Sequence, residues 1–242
     1  RMWMIGDTWW GAYADYVVVN ASQLIALDDS ISFEDASCLP VAYGTAHRMM
    51  FTRGEVKEGD SVLILGASGG VGSSAVMLAK QVGAHVIAAA GTDEKCEQLV
   101  ALGADETINY NEVDFQKYCR QNTGSLFGGG GYDVVVNFTG GDTWAKSLKC
   151  VKLGGRVLTC GATAGFDPPT DLRFIWTAEM DIRGSNGWKT SDLEALLGMV
   201  QSGALRPAID SVVPLPEGIE AHQALEERRF FGKIVITGDA PA

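Results

Sequence analysis

Residues 59–72 read Gly59-Asp-Ser-Val-Leu-Ile-Leu-Gly-Ala-Ser-Gly-Gly-Val-Gly72, an apolar strand from Ser61 to Leu65 that runs into a turn with four glycines. The pattern Ser73 to Val82 then predicts a helix. Glycines let such a turn bring the backbone close to a pyrophosphate, whose charge is met by N–H groups at the helix start. The turn departs from G-x-G-x-x-G, since the frame ending at Gly72 begins with Ala67, and a tight structural loop is the alternative interpretation.

The same alternation of short apolar runs and helical patterns continues along the chain. Uniformly apolar strands between helices predict a parallel sheet buried on both faces. The fold class is therefore α/β, a doubly wound six-stranded (Rossmann) sheet at about residues 45–203, which binds ligands beyond the carboxyl ends of its strands. The predicted strands are Ser61–Leu65, His85–Ala90, Glu106–Asn109, Asp133–Asn137, Gly155–Cys160 and Asp181–Gly184, and the helices that follow them are Ser73–Val82, Asp93–Leu102, Val113–Gln121, Thr143–Val151, Asp171–Thr177 and Ser191–Ser202.

The two flanks have a different pattern. Gly11 to Ala26, Val212 to Leu215 and Lys233 to Thr237 are strand-like but are not interleaved with helices. We expect residues 1–44 and 204–242 to be parts of a second, mostly β lobe to which both ends of the chain contribute.

Composition and charge narrow the functional classes. The formal net charge of −11, with no basic run, is unfavourable for binding nucleic acid or anionic membranes. Apolar stretches are strand-sized, far short of the roughly 20 residues that span a bilayer, and the first ten residues lack the pattern of a signal peptide. Five cysteines without a C-x-x-C pair indicate free thiols. We expect a cytoplasmic protein with a small-molecule substrate.

A series of motifs resembles the medium-chain dehydrogenase/reductase superfamily, and most of all its zinc-independent quinone oxidoreductase branch. Members of that family carry most of a GroES-like substrate domain before the first of these motifs. By this resemblance residues 1–44 are the end of that domain and 204–242 a return segment to it, so the chain is expected to be a fragment or a form with a reduced active site. The motifs are Gly11-Ala-Tyr-Ala-Asp-Tyr16, Ala36-Ser-Cys-Leu-Pro-Val-Ala-Tyr-Gly-Thr-Ala46, residues 59–72, Leu102-Gly-Ala-Asp105, Ile108-Asn-Tyr110, Asp133-Val-Val-Val-Asn137, Leu153-Gly-Gly-Arg-Val157 and Gly232-Lys-Ile-Val-Ile236.

The resemblance implies a set of cofactor-binding residues around the turn and the strand ends. Thr45 and Val71 are expected beside the nicotinamide ring, although Thr45 also has the alternative role of satisfying a helix backbone. Cys160 is expected as a buried strand-end residue rather than a nucleophile. The remaining residues of the set are Ala67, Ser68, Gly69, Gly70 and Gly72 in the turn, Thr139 and Gly140 after the fourth strand, and Gly161 and Ala162 after the fifth.

The residues after the second strand favour NADPH. NAD enzymes place a carboxylate there for the ribose hydroxyls, whereas this chain has Ala90 followed by Gly91 and Thr92. Lys95 lies one helical turn further on and could meet a 2′-phosphate, although it could also be a plain surface lysine. The resemblance adds Tyr110 and Arg228 to this pocket. Asp93 and Glu94 argue against it, unless they are solvated residues of a first helical turn.

No metal is expected. Val41 stands where the alcohol dehydrogenases of the superfamily have a zinc-binding cysteine, and Cys38 is better read as a core thiol. The three histidines, His47, His85 and His222, have no metal-ligand spacing. Reduction of a polarised double bond remains open, because the protein then supplies mainly orientation and electrostatics.

The sequence therefore predicts an NADPH-dependent reductase of a quinone, an enone or an enoyl thioester. The alternatives are a nucleotide-binding or regulatory protein without catalysis, and a zinc-type alcohol dehydrogenase. The sixth strand is predicted at a sheet edge. There, by the resemblance, a homodimer would form around Ile182 and Gly184, with Trp188 nearby.

Overall fold

The computed structural model of the chain describes residues 5, 6 and 8–238. Its main sheet has six parallel strands in the order β3-β2-β1-β4-β5-β6. The direction of strand addition reverses between β1 and β4, which creates the crevice where doubly wound sheets bind ligands. This confirms the predicted fold class. The strands are β1 (Ser61–Ile64), β2 (His85–Ala90), β3 (Glu106–Asn109), β4 (Tyr132–Val136), β5 (Val151–Thr159) and β6 (Asp181–Gly184).

Helices cover both faces of this sheet, and a separate pair of parallel strands follows them. The helices are α1 (Phe33–Cys38), α2 (Gly44–His47), α3 (Gly70–Gln81), α4 (Asp93–Ala101), α5 (Phe115–Thr123), α6 (Asp142–Ser147), α7 (Leu172–Thr177), α8 (Thr190–Gln201) and α9 (Gly218–Glu226). Short 3₁₀ turns lie at Ala21–Gln23, Leu126–Gly128 and Leu215–Glu217. The two further strands are β7 (Ile209–Pro214) and β8 (Lys233–Thr237).

The core has two halves, one on each face of the sheet. Along β1, Val62 and Ile64 belong to one half, and Leu63 with the following Leu65 belongs to the other. This is the two-residue period of a strand with both faces buried. It explains why the central strands have uninterrupted apolar sequences.

Most predicted bounds differ from the observed ones by one or two residues, and two helix ends differ by more. α3 begins at Gly70, three residues before the predicted Ser73, because Gly69 adopts extended backbone and serves as its N-cap. The predicted helix Thr143–Val151 ends at Ser147, since Val151 already pairs with Tyr132 of β4 and so begins β5.

A helical run that the sequence analysis leaves unassigned spans residues 33–53. It joins α1, a π-helical turn at Leu39–Tyr43, α2 and a second π-helical turn at Arg48–Arg53. Leu39, Tyr43 and Met49 are fully buried in the core under α3. Their packing stabilises helix despite a proline at position 40. The predicted boundary between residues 44 and 45 falls inside this run.

The strand prediction for Gly11 to Ala26 is wrong. The segment has extended and irregular backbone with one 3₁₀ turn, and no ladder partner for it exists among residues 5, 6 and 8–238. Tyr16 and Val18 are both 87% exposed. The strand-like runs near the other end of the chain do form β7 and β8. Whether they belong to a second lobe stays a prediction.

No helix within the described residues combines the length and the apolar character needed to cross a bilayer.

Candidate functional site

The glycine-rich turn between β1 and α3 is built so that only glycine fits at its closest point. A Cβ atom at Gly72 would lie 2.3 Å from the Gly66 carbonyl oxygen and 2.6 Å from Ala67 Cα. Both neighbours are backbone atoms that cannot rotate away. Gly66 itself has a φ of +64°, in the left-handed region that glycine tolerates. The turn and the first turn of α3 therefore lie in direct backbone contact.

The start of α3 presents N–H groups that the helix does not use. The first hydrogen bond within α3 is donated by the Ser73 N–H to the Gly69 carbonyl, at 2.8 Å. The N–H groups of Gly70, Val71 and Gly72 come before it and so have no acceptor within the helix. Gly69 has no side chain to cap them. Together with the helix dipole, these groups form an anion-binding site.

The neighbouring residues hold the turn in shape. Ala67 N–H donates to the Ala89 carbonyl at 3.0 Å, which ties the turn to β2. The Ser68 carbonyl accepts from Gly232 N–H at 2.8 Å, which ties it to the segment before β8. Among the predicted turn residues, Ala67 and Ser68 thus have structural backbone roles, while Gly70, Val71 and Gly72 lie in the first turn of α3.

Lys233 adds a positive charge beside this site. Its Cδ atom lies 2.9 Å from where a Gly70 Cβ would stand, so its side chain crosses the start of α3. Burial raises the pKa of the Cys38 thiol, and Lys233 partly opposes that effect, which places its ammonium group near Cys38. No ion pair of Lys233 is found within the described part of the chain. A cation and a helix N-terminus side by side favour an anion between them.

A buried amide organises the loop after β4. The Asn137 side-chain oxygen accepts from the N–H groups of Thr139 and Gly140, each at 2.9 Å. Its amide nitrogen donates to Thr143 Oγ1 at 3.0 Å and to Ser147 Oγ at 2.8 Å. Asn137 is fully buried, and these bonds fix the predicted residues Thr139 and Gly140 at the carboxyl edge of the sheet.

The loops after β4 and β5 are bonded to each other. Ala164 N–H donates to the Thr139 carbonyl at 2.7 Å. A Cβ at Gly140 would lie 2.9 Å from the Ala162 Cβ. The structure thus brings the predicted residues Thr139, Gly140, Gly161 and Ala162 together at one place.

Cys160 lies at the end of β5 and is half-buried. Desolvation raises the pKa of its thiol to about 11. The sulfur is therefore protonated near neutral pH and is a poor nucleophile. Its position agrees with a strand-end residue at the rim of the site.

Thr45 is buried in α2, within the helical run at residues 33–53. Ala42 of the same run lies 3.1 Å from the Cβ position of Gly70, and Gly44 packs against the Trp188 side chain. The run that carries Thr45 therefore packs against the start of α3, the helix whose first turn contains Val71.

The proposed phosphate pocket contains two neighbouring cations. Lys95 Nζ donates to the Arg228 carbonyl at 2.6 Å. Partial burial, and next the Arg228 guanidinium, lower the pKa of Lys95, while Asp210 and Glu94 oppose this. Arg228 has a backbone φ of +57°, which is unusual for a residue other than glycine. Two like charges held together favour a dianionic ligand.

Thr92 and Tyr110 complete this pocket. The Thr92 hydroxyl caps α4 by accepting from Lys95 N–H at 3.3 Å. Tyr110 Oη lies 2.9 Å from the Cβ position of Gly91, so the ring stands over the turn that follows β2. Thr92, Lys95, Tyr110 and Arg228 are thereby grouped at one end of the site.

The two nearby carboxylates lie in the first turn of α4, not at the end of β2. Asp93 accepts from Asn109 Nδ2 at 2.8 Å and stands with Glu94 in the first turn of α4. Acidic residues are stabilised there by the helix dipole. The last residue of β2, where NAD enzymes have a carboxylate, is the fully buried Ala90 in this chain.

The described residues do not form a metal site. No group of three histidine, cysteine, aspartate or glutamate side chains with ligand geometry exists among residues 5, 6 and 8–238. Val41 is 54% exposed, and Cys38 is buried in the core. The donor set present here does not fit a zinc ion.

Asn137 and Lys233 are functional candidates that appear in the sequence only as members of longer motifs, without a predicted role. Asn137 closes a run of valines, and a polar residue at the end of a buried strand was the available signal. Lys233 is 163 positions from Gly70 in the printed numbering, so only the folded chain shows that they meet.

Known proteins are similar to this chain in sequence and in fold. The family model described as "Zinc-binding dehydrogenase" matches residues 70–202. The chain is 27% identical over 97% of its length to quinone oxidoreductase-like protein 2 from Bos taurus, of which it covers 69%. Across eight curated relatives it spans 57 to 72% of their length.

Two solved structures are similar throughout the chain. An NAD-dependent alcohol dehydrogenase shares 36% identity with a TM-score of 0.89, over 97% of this chain and 67% of that one. A 2-octenoyl-CoA carboxylase reductase in complex with NADP and 2-octenoyl-CoA shares 33% identity with a TM-score of 0.86, over 96% of this chain and 56% of that one.

Proposed function

The chain belongs to the zinc-binding dehydrogenase family within the medium-chain dehydrogenases/reductases, and from that membership we propose that it is an NADPH-dependent reductase of activated double bonds. Its substrate class is a quinone, an enone or an enoyl thioester. The observation that carries the cofactor assignment is the contact of Lys95 with Arg228: the Lys95 ammonium donates to the Arg228 backbone carbonyl, and the Arg228 charge lowers the pKa of Lys95.

The choice of NADPH over NADH follows from charge. A 2′-phosphate is a dianion that can accept charge-assisted hydrogen bonds from Lys95 and Arg228, with Tyr110 and Thr92 as neutral donors. The adjacent end of β2 is the buried Ala90, which offers nothing to a ribose 2′-hydroxyl. One similar structure is that of an NAD-dependent enzyme and another holds NADP, so relatedness alone does not decide between the cofactors.

The remaining groups of the site would hold the rest of the dinucleotide. The N–H groups of Gly70, Val71 and Gly72 would bind the pyrophosphate, and the positive charge of Lys233 would balance its negative charge. Thr45 and the bonded loops at Thr139–Gly140 and Gly161–Ala162 would hold the nicotinamide. When bound, NADPH supplies a hydride.

The residues of this chain act mainly by positioning the cofactor and the substrate. The Asn137 hydrogen bonds hold the loop after β4 rigid, and the helical run at residues 33–53 covers the turn. Fixed geometry at the reacting centre lowers the barrier without a chemical group of the protein taking part. Burial raises the pKa of the Cys160 thiol, which makes it a poor nucleophile, and the proposal assigns it no covalent step.

The reduction is proposed to need no zinc from these residues. A double bond conjugated to a carbonyl is already polarised, so a hydride can add to its electrophilic carbon without a Lewis acid. Metal analysis of the purified chain is expected to find far less than one zinc per chain. One tightly held zinc per chain would favour the alcohol dehydrogenase alternative.

The substrate class is supported by the relatives. Quinone oxidoreductase-like protein 2 and the 2-octenoyl-CoA carboxylase reductase are both similar to this chain over almost its whole length. Their names share one kind of acceptor, a carbon–carbon double bond activated by a carbonyl. We assign the reduction of such double bonds to this chain. Turnover assays with a quinone, an enone and an enoyl thioester distinguish among the three acceptors.

We also propose a cytoplasmic homodimer that forms through the β6 edge. The Ser185 N–H bonds back to the Thr159 carbonyl, so by strand alternation the polar groups of Ile182 and Gly184 face away from β5. Arg53 Nε already donates to the Gly184 carbonyl at 2.9 Å. A strand of the partner would therefore pair with the outward backbone N–H and carbonyl groups of Ile182.

The test of the proposed activity is consumption of NADPH followed by its absorbance. The purified chain is supplied with a benzoquinone, an enone and a crotonyl thioester in turn. Turnover with at least one of them, faster with NADPH than with NADH, is the expected result. Tight NADPH binding without turnover of any acceptor would favour the nucleotide-binding alternative.

A further inference from the structure

The loop that joins β6 to α8 contains Asn186, the only asparagine in the sequence that is followed by a glycine, Gly187. Asn186 is exposed, and neither residue lies in a helix or a strand. Asparagine is a chemically labile residue. Its side-chain amide carbon can be attacked by the backbone nitrogen of the next residue, and glycine allows that approach because it has no side chain to hinder it. The sequence of this loop therefore favours a reaction of the chain with itself.

Asn186 also differs from the other five asparagines in its hydrogen bonds. Each of their side chains makes a hydrogen bond within the protein: Asn20 with the Ser22 N–H, Asn109 with Asp93, Asn111 with the Gly91 carbonyl, Asn122 with the Tyr118 carbonyl and Asn137 with Ser147. Within residues 5, 6 and 8–238, the Asn186 side chain and the Gly187 N–H make none. The side chain of Asn186 can therefore turn toward the Gly187 nitrogen without losing a bond.

The chain is fixed on both sides of this pair. The Ser185 N–H donates to the Thr159 carbonyl at 2.8 Å, which ties the preceding residue to the end of β5. The Lys189 N–H donates to Asp192 Oδ2 at 2.8 Å, which fixes the start of α8. Gly187 has a φ of +59°, in the left-handed region that glycine tolerates. The two reacting residues therefore lie between fixed anchors.

We propose that Asn186 is a site of spontaneous deamidation, a modification that needs no enzyme. The Gly187 backbone nitrogen gives up its proton to hydroxide and attacks Asn186 Cγ. The new bond from this nitrogen to Cγ closes a succinimide ring, the bond from Cγ to Nδ2 breaks, and ammonia leaves after taking a proton from water. Water then adds to one of the two ring carbonyls and opens the ring, which gives aspartate or isoaspartate. No oxidant or cofactor takes part, so the reaction is independent of the proposed function.

The isoaspartate product changes the loop in two ways. Its backbone runs through the former side chain, so an extra carbon atom enters the chain between the anchors at Ser185 and Lys189. It also carries a negative charge where the amide was neutral. Because the anchors are fixed, the longer loop is expected to weaken the attachment of α8 and to lower the urea unfolding midpoint. Asn186→Asp supplies the charge without the extra carbon and should lower the midpoint less.

The experiment incubates the purified chain at mildly alkaline pH, folded and in urea, and follows each asparagine by peptide mass mapping. In the folded chain Asn186 should convert first, and its rate should rise with pH because the attacking nitrogen must lose its proton. Each of the other five must first break a hydrogen bond, which slows its conversion by up to about tenfold. Urea removes this protection, so those five should convert faster relative to Asn186.

Asn186→Gln is the matched control, because its longer side chain would have to close a larger ring and should stay unmodified. If Asn186 stays intact in the folded chain, or converts no faster than another asparagine, the proposal is overturned. The urea unfolding midpoint of the converted wild type should lie below that of fresh protein and of equally aged Asn186→Gln. An unchanged midpoint would overturn the expected effect on the loop.

Discussion

Gly72→Ala tests whether the contact between the turn and α3 creates the pyrophosphate site. The new Cβ would stand 2.3 Å from the Gly66 carbonyl oxygen, whereas side-chain carbons in proteins keep at least 3.0 Å. The start of α3 must therefore move away from the turn. Such a shift displaces the N–H groups of Gly70 and Val71 together with that of residue 72. If the bound NADPH loses the equivalent of one or two charge-assisted hydrogen bonds, its binding free energy falls by about 3 kcal/mol. The dissociation constant of NADPH then rises roughly 100-fold.

Gly198→Ala is the matched control. It lies inside α8, outside the set of cofactor-binding residues, and its Cβ would meet nothing within 4 Å. Titration of both variants by the fluorescence of bound NADPH, with urea unfolding alongside, measures affinity and stability together. Overpacking at residue 72 should also lower the unfolding free energy by about 1–3 kcal/mol. Near wild-type NADPH affinity in folded Gly72→Ala would refute the role of this contact.

Three further predictions concern the phosphate pocket, the loop after β4 and the sheet edge. Lys95→Glu should reverse the cofactor preference to NADH, because it sets a carboxylate where the 2′-phosphate is proposed to lie; an unchanged preference in parallel titrations would contradict this. Asn137→Ala leaves the N–H groups of Thr139 and Gly140 without their buried acceptor and should cost about 1–3 kcal/mol per unpaired group, checked by urea unfolding. Ile182→Pro removes an outward N–H without touching the bonds to β5, so sedimentation should show a weaker dimer from a chain that still unfolds cooperatively.

The sequence predicted the main sheet well because its strands are decided locally. The central strands are short apolar runs closed by a glycine or a polar residue, as at Ser61–Leu65 before Gly66. The two edge strands, Glu106–Asn109 and Asp181–Gly184, are more polar, and both were predicted with their observed bounds. Helix ends were less accurate. Gly70 begins α3 although glycine disfavours helix, because the close backbone contact at Gly72 decides the geometry there.

The failures were set by contacts between distant parts of the chain. The run at residues 33–53 contains Pro40 and Gly44, yet it is helical because Tyr43 and Met49 are buried in the core. Conversely, Gly11 to Ala26 has strand-like residues but no ladder partner in the described chain. Pairs such as Lys233 with Gly70 have no sequence signal at all, whereas the cluster around Lys95 was already indicated by the residues after β2.

The central claim, that the pocket around Lys95 and Arg228 selects NADPH, is tested most directly by titrating the purified wild-type chain with NADPH and NADH under identical salt and pH. A charge-assisted phosphate contact contributes about 1.5–3 kcal/mol, so NADPH should bind roughly ten- to a hundredfold more tightly. Equal affinity for the two cofactors, or tighter binding of NADH, would contradict the account.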